Sequence, residues 1–207
     1  AHDTKIAQDV VLLQRTEVGE MSEAFHMGKV GSSTMAQKRN PSTALLLVSL
    51  ARMLRARVPL AMESMLRMDE GDSSCTNVTD ALLPELAVIG ASVAQTLARL
   101  AKGLVVHEPA MQRNLQLTQG LITAEAIMMQ LAQLIGRHQA HQLLYEVTQR
   151  VHAEGVPFLP AVRQHPLLAG RGLPYDLEQA LQAEAYVGES RDLTTETIRR
   201  VLGQGPG

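Results

Sequence analysis

The chain has 207 residues, enough for one or two domains, and a formal net charge of −2 that argues against a polyanionic partner such as DNA or RNA. Cys75 is the single cysteine and the seven histidines are scattered, which excludes an intramolecular disulfide, a CxxC zinc or redox site and an HExxH-type metal motif. With no Trp, two Phe and three Tyr, the apolar mass is Leu, Ala, Met and Val, which suits closely packed helices better than a β-sandwich.

The N-terminal AHDTKIAQD lacks the basic region and apolar core of a signal peptide. It has no initiator methionine and enters a helical pattern at once, so the expectation is a chain that starts within a larger protein. From Lys5 to Ser22, Ile6, Val10, Leu13 and Glu17 fall three or four apart on one helical face. The stretch from Phe25 to Asn40 breaks that pattern with Gly, Ser and Lys. Pro41 reads as the first residue of a new helix through Leu45, Leu46, Ser49, Met53 and Leu54 toward Arg67, bent near Pro59.

Asp69 to Thr79 is a second polar interruption. After it, Leu82, Leu86, Ile89, Val93, Leu97, Leu100 and Leu104 form a seam on a helix on the order of 35 Å long, suited to an extended bundle. Shorter helices follow, about Leu121 to Leu134, Gln139 to Ala153, Pro157 to Gln164, Asp176 to Ala183 and Thr194 to Leu202. No period-2 alternation is evident, so the chain reads as all-α, with a domain boundary near Asn114 separating residues 1–114 from 115–207. No apolar run reaches the roughly 18 residues of a membrane span, so no membrane partner is expected, and the single cysteine fits a reducing cytoplasm.

The chemistry concentrates in G-S-S-T-M-A-Q-K-R-N-P, Gly31 to Pro41. Two hydroxyls, a Lys, an Arg and an Asn stand just before a helix N-terminus. Cations, amide donors and the positive end of a helix dipole together favour carboxylates. A serine beside them is a candidate base if the same donors stabilise its alkoxide. On composition alone, a solvated basic loop with a serine N-cap is the plainer reading.

The order of these residues resembles the GSSxMPxKxNP signature of the superfamily that contains fumarase, aspartase, argininosuccinate lyase, adenylosuccinate lyase and 3-carboxy-cis,cis-muconate cycloisomerase. Asp9 to Glu23, with its TEVGE, and Asn114 to His141 are similar to the cycloisomerase and adenylosuccinate lyase branch. The resemblance implies the second half of a long central helical bundle followed by a small helical C-terminal domain. It further implies a cytoplasmic homotetramer whose active sites draw on three subunits, with no cofactor.

By position, the resemblance assigns Ser32 as catalytic base. Lys38 and Asn40 are to hold a substrate carboxylate and stabilise the enolate-like intermediate. Ser33, Thr34 and Met35 contribute amides and closure contacts, Arg39 touches substrate or a neighbouring subunit, and Glu17 orients Lys38 or a partner. Glu20 reads as a polar face residue and His26 as a surface one. His107, His138, His141, His152 and His165 read as helix-end or surface positions.

Ala36 stands where the signature has proline, and Gln37 where the two nearest branches have histidine. None of the histidines sits in a motif matching the family's general acid, so the chain supplies a loop to a site completed elsewhere. The expected activity is that of a lyase or cycloisomerase abstracting a proton α to a carboxylate. The leading substrate is a di- or tricarboxylate of the 3-carboxy-cis,cis-muconate type in aromatic catabolism. Alternatives are adenylosuccinate lyase or another fumarate-releasing C–N lyase, and a non-catalytic helical scaffold of the same family.

Overall fold

A computed structural model describes residues 1–25, 34–35, 37–172 and 177–203, and divides the chain into two compact units, Ala1–Met111 and Gln112–Gly207. Within the first unit, helix α1 (His2–Leu13) packs on α2 (Ser42–Arg55), which in turn packs on the 30-residue α4 (Ser73–Lys102); the short α3 (Val58–Glu63) also lies against α4. Helix α5 (Glu108–Gln116) follows α4. The described residues are helical apart from two-residue strands, β1 (Met21–Ser22) and β2 (Val105–Val106), and their connecting turns. The strands pair antiparallel, Met21 opposite Val106. Segments this short leave no alternation to read in the sequence.

The first core comprises Ala7, Val10, Ala44, Leu47, Val48, Val93 and Leu100. Ala7 and Ala44 are both completely buried, and such small side chains at a helix contact let the backbones of α1 and α2 approach closely. The buried faces therefore differ from those expected. Helix α1 buries Thr4, Ala7 and Val10 and leaves Ile6 exposed, while α2 buries Ala44, Leu47, Val48 and Ala51 and leaves Leu45, Leu46 and Met53 nearly half exposed.

Three helix boundaries also differ. Helix α1 stops at Leu13, not Ser22, because the chain turns through Arg15 to Gly19 and the Glu20 amide returns to the Leu13 carbonyl at 2.9 Å. In place of one bent helix from Pro41 to Arg67 there are two. A proline ring collides with the carbonyl four residues earlier, and for Pro59 that residue is Arg55, where α2 ends. Helix α4 begins inside the polar stretch 69–79, since Asp72 caps it by accepting from the Ser74 amide at 2.9 Å and the Ser74 hydroxyl at 2.6 Å.

Helix α4 rises about 45 Å at 1.5 Å per residue. It buries Leu82, Val93, Thr96 and Leu100 but exposes Leu83 and Val88. By length and composition alone it is the one described helix long and apolar enough to cross a membrane, and Asp80, Pro84 and Glu85 break its apolar run short of a span. Only 17% of its most apolar window is buried within this chain.

In the second unit, α6 (Ala124–Ile135) and α7 (Arg137–Glu154) pack together around Ile127, Leu131, Leu143 and Val147, with α8 (Phe158–Arg163) on α7 and α9 (Leu177–Ala180) on α6. Gly155 closes α7 in the left-handed conformation at φ 68°, as a C-terminal glycine does. Gly120, at φ 95°, holds a conformation that strains any other residue, and a Cβ there would also push Leu181 Cδ2 aside from 2.8 Å. Beside it, the buried Thr123 hydroxyl donates to the Gly120 carbonyl at 3.1 Å or the Leu181 carbonyl at 3.3 Å. The last helix, α10 (Ser190–Val201), buries none of its side chains.

Phe158 is 1% exposed at the centre of this second core. Phe158→Ala should cost about 3–5 kcal/mol in urea denaturation, from lost burial plus the cavity left behind. Hydrogen bonds from the Ser74 hydroxyl and from the Met68 and Ser74 amides hold the Asp72 carboxyl below its usual range. A depressed carboxylate stabilises the fold above its unfolded pKa, and that contribution disappears as pH falls through the folded value. Wild type and Asp72→Ala should therefore differ in Tm at neutral pH and converge in acid, as followed by circular dichroism.

Candidate active site

The site is built where the chain leaves α1 and returns to start α2. From Leu13 it turns and pairs Met21–Ser22 with Val105–Val106, then passes Gly103 at the end of α4. Gly103 is needed for that passage, since a Cβ there would stand 2.9 Å from the Cβ of Ala24. A cavity of about 870 Å³ opens between this segment and Met35, Gln37, Lys38, Arg39, Asn40 and Ser42.

Of the site residues expected from the sequence, Met35, Lys38, Arg39 and Asn40 line this cavity, together with Gln37. The Lys38 amide donates to the Met35 carbonyl at 3.1 Å and the Ser42 amide to the Asn40 carbonyl at 2.8 Å, so the backbone folds tightly on both sides of Lys38 and Asn40. Arg39 places its guanidinium 4.4 Å from the centre of the Phe25 ring, a cation–π contact worth about 0.5–1 kcal/mol at an exposed position. Ser32 and Ser33 lie outside the described residues, as does His26. Thr34 is exposed and is not among the cavity residues.

Glu17 is not on a helix; it sits exposed in the turn after α1 and does not reach the cavity wall. The apolar spacing that placed it on the inner face ends where α1 ends, four residues earlier. Glu20 engages through its backbone, its carbonyl accepting from the His107 amide at 2.9 Å.

Three cavity residues escaped the sequence reading. The Glu23 carboxylate, on a residue only 9% exposed, accepts from the Ala44 amide in the first turn of α2 at 2.6 Å. Gln14 bridges the two ends of the intervening segment, accepting from the Glu23 amide at 2.9 Å and donating to the Arg39 carbonyl at 3.4 Å. His107, expected at a surface or helix end, stands just before α5 but is also half-buried in the cavity wall, where its Nε2 shares a 2.9 Å hydrogen bond with the Ser22 hydroxyl. These pairings span 9 to 85 residues and carry no local signal; the β-rich Val105-Val106 before Glu108-Pro109 was the only cue near His107.

Chemically, the wall offers two cations and two carboxamides just before α2, against one carboxylate already committed to a backbone amide. That balance favours an anionic, carboxylate-bearing ligand. Among the described residues no group of three or more His, Cys, Asp or Glu side chains is placed to hold a metal ion.

Comparison with known proteins places this site in a family. The family model described as lyase matches residues 2–58, and that described as adenylosuccinate lyase C-terminus matches residues 120–197. The chain is 32% identical over 201 residues to an N-acetyl-S-(2-succino)cysteine lyase of Dickeya dadantii, covering 97% of this chain and 44% of that protein. To an adenylosuccinate lyase of Pyrococcus abyssi it is 34% identical over 198 residues, covering 95% and 44%.

The crystal structure of a 3-carboxy-cis,cis-muconate lactonizing enzyme from Pseudomonas putida superposes with a TM-score of 0.77 at 29% identity, covering 94% of this chain and 42% of that one. The chain thus spans less than half the length of the relatives it matches. Two family models in chain order, the helical architecture and the signature at residues 31–41 agree: the chain belongs to the fumarase/aspartase superfamily of lyases, in the branch of adenylosuccinate lyase and 3-carboxy-cis,cis-muconate cycloisomerase.

Proposed function

We propose that the whole protein catalyses reversible β-elimination or addition beside a carboxylate, and that this chain supplies the loop on which the chemistry turns. The observation that carries the reading is the position of Lys38 and Asn40, both on the wall of one cavity just before α2. In this mechanism Ser32 takes the proton from the carbon α to a substrate carboxylate. The electron pair moves into that carboxylate, and the resulting aci-carboxylate is stabilised by Lys38 and Asn40, donors fixed where charge develops. The electrons then return to form the double bond as the β-substituent leaves with its bonding pair. Ser33, Thr34 and Met35 contribute amides and cover, and Arg39 binds substrate or a neighbouring subunit. Glu17, in its exposed turn, acts toward a partner subunit in this reading. The chemistry requires a base, an acid and charge stabilisation, and no cofactor.

The leading substrate is 3-carboxy-cis,cis-muconate or a close tricarboxylate, as in aromatic catabolism in the cytoplasm. In that direction a substrate carboxylate adds to a double bond to close a lactone. A second reading, favoured by relatives that match nearly the whole chain, is release of fumarate from a succinyl group carried on nitrogen or sulfur. Both use the same base and the same carboxylate site. Residues 1–114 are assigned to the catalytic loop and bundle, and residues 115–207 to the small C-terminal domain.

Assembly into a homotetramer completes the site in this account. Leu45, Leu46 and Met53 of α2 and Leu83 and Val88 of α4 form apolar surface exposed in the single chain, and burying such surface drives association at about 25 cal/mol per Å². Light scattering after gel filtration should give a tetramer, whereas a stable monomer at micromolar concentration would contradict the bundle assignment.

The activity test is ultraviolet absorbance over time with 3-carboxy-cis,cis-muconate, and in parallel fumarate release from adenylosuccinate and N-acetyl-S-(2-succino)cysteine. Turnover of one of these should fall at least about 100-fold in Ser32→Ala, the scale lost with a positioned base, while binding persists. Near-normal turnover in that variant contradicts the assignment of the base. Silence of wild type toward all three contradicts the substrate class.

A further inference from the structure

The segment that leaves β1 and returns at α2 is fastened at both ends by side chains that belong to neither Lys38 nor Asn40. Pro41 holds the N-cap position of α2 and has no side-chain oxygen to cap it. Amides at a helix head require acceptors, and a buried one left unmet is costly. Glu23, 21 residues upstream and nearly buried, meets this need at Ala44, its Oε1 accepting from that amide at 2.6 Å. Negative charge here is also matched to the positive end of the α2 dipole.

Gln14, the C-cap of α1, uses both ends of its carboxamide. Its Oε1 accepts from the Glu23 amide at 2.9 Å, and its Nε2 donates to the Arg39 carbonyl at 3.4 Å, the longest of the three bonds. Arg39 lies between Lys38 and Asn40 in the chain. One amide side chain therefore ties the outgoing segment to the returning one at the residue between the two proposed carboxylate ligands.

We propose that Gln14 and Glu23 form a clasp that positions Lys38 and Asn40, by fixing the Arg39 carbonyl and the first turn of α2 to the end of α1. Both are positioning residues: they act through backbone groups and leave the substrate to Lys38 and Asn40. The functional consequence rests on the proposed carboxylate chemistry, but the clasp itself is a statement about which backbone groups are held. Displacements of about 1 Å in a reacting array are enough to cost on the order of 100-fold in rate, so a clasp of three hydrogen bonds is sufficient leverage.

The clasp is tested in the whole protein with Gln14→Leu, Glu23→Ala and Glu23→Gln. Hydrogen exchange measured by mass spectrometry should show residues 38–44 exchanging about tenfold faster or more in Gln14→Leu and Glu23→Ala, with residues 82–104 within about twofold of wild type, because the lost bonds are local. Glu23→Gln keeps an acceptor for the Ala44 amide and should restore most of the protection. In turnover of whichever of the three substrates wild type accepts, Gln14→Leu should lower kcat about tenfold with KM changed by no more than about threefold, the pattern of lost transition-state positioning.

Unchanged exchange at 38–44, or equal acceleration across the first unit, overturns the clasp. So does a Glu23→Gln variant as impaired as Glu23→Ala. A normal kcat in Gln14→Leu despite faster exchange overturns its positioning role. If wild type turns over none of the substrates, the proposed function fails while the exchange result still decides the clasp. Gln14 lies at a helix end and only partly buried, so its variant reports even if Glu23→Ala does not fold.

Discussion

A helix that begins with proline needs its first amides satisfied from elsewhere, and the rest of the first unit is arranged around that need. The acceptor for Ala44 is the carboxylate of Glu23, so the end of β1 must lie against the head of α2. That contact in turn requires the β1–β2 ladder to bring Met21–Ser22 beside the end of α4, and Gly103 to let Ala24 pass at close range. Once these are in place, residues 37–40 fall on a cavity wall, because the Arg39 carbonyl is tied to Gln14 at the end of α1. The cation- and amide-bearing wall is thus held in place by the way one helix terminus is capped.

The helices supply the frame that this corner needs. Ala7 and Ala44 bring α1 and α2 close, and Leu47, Val48, Val93 and Leu100 fill the space between α2 and α4. The same helices are apolar on a second side, at Leu45, Leu46, Met53, Leu83 and Val88. Helix α4, apolar as it is, is mostly open within one chain, and such surface is what the proposed bundle of several copies would bury.

These doubly apolar helices also explain what could and could not be read from the sequence. The all-helical architecture, the long α4 and the family were legible, because periodicity and a contiguous eleven-residue signature are local properties. Which face of a helix points inward was not: Ile6, Leu45 and Leu46 satisfy the helical period as well as Ala7, Ala44 and Leu47 do, yet only the latter three are buried. Helix ends were misplaced where one side chain decides them, as Asp72 does for α4 and Pro59 for α2. Lys38 and Asn40 were found because they stand within the signature. Gln14, Glu23 and His107 were not, since their partners lie far along the chain and only the folded corner brings them together.

The central claim is that a substrate carboxylate sits between Lys38 and Asn40 at the head of α2. Its most direct test is a crystal structure of the whole protein, carrying Ser32→Ala to halt turnover, soaked with 3-carboxy-cis,cis-muconate. The account predicts a substrate carboxylate within hydrogen-bonding distance of both the Lys38 ammonium and the Asn40 carboxamide. Substrate bound in an ordered site that engages neither residue would contradict it.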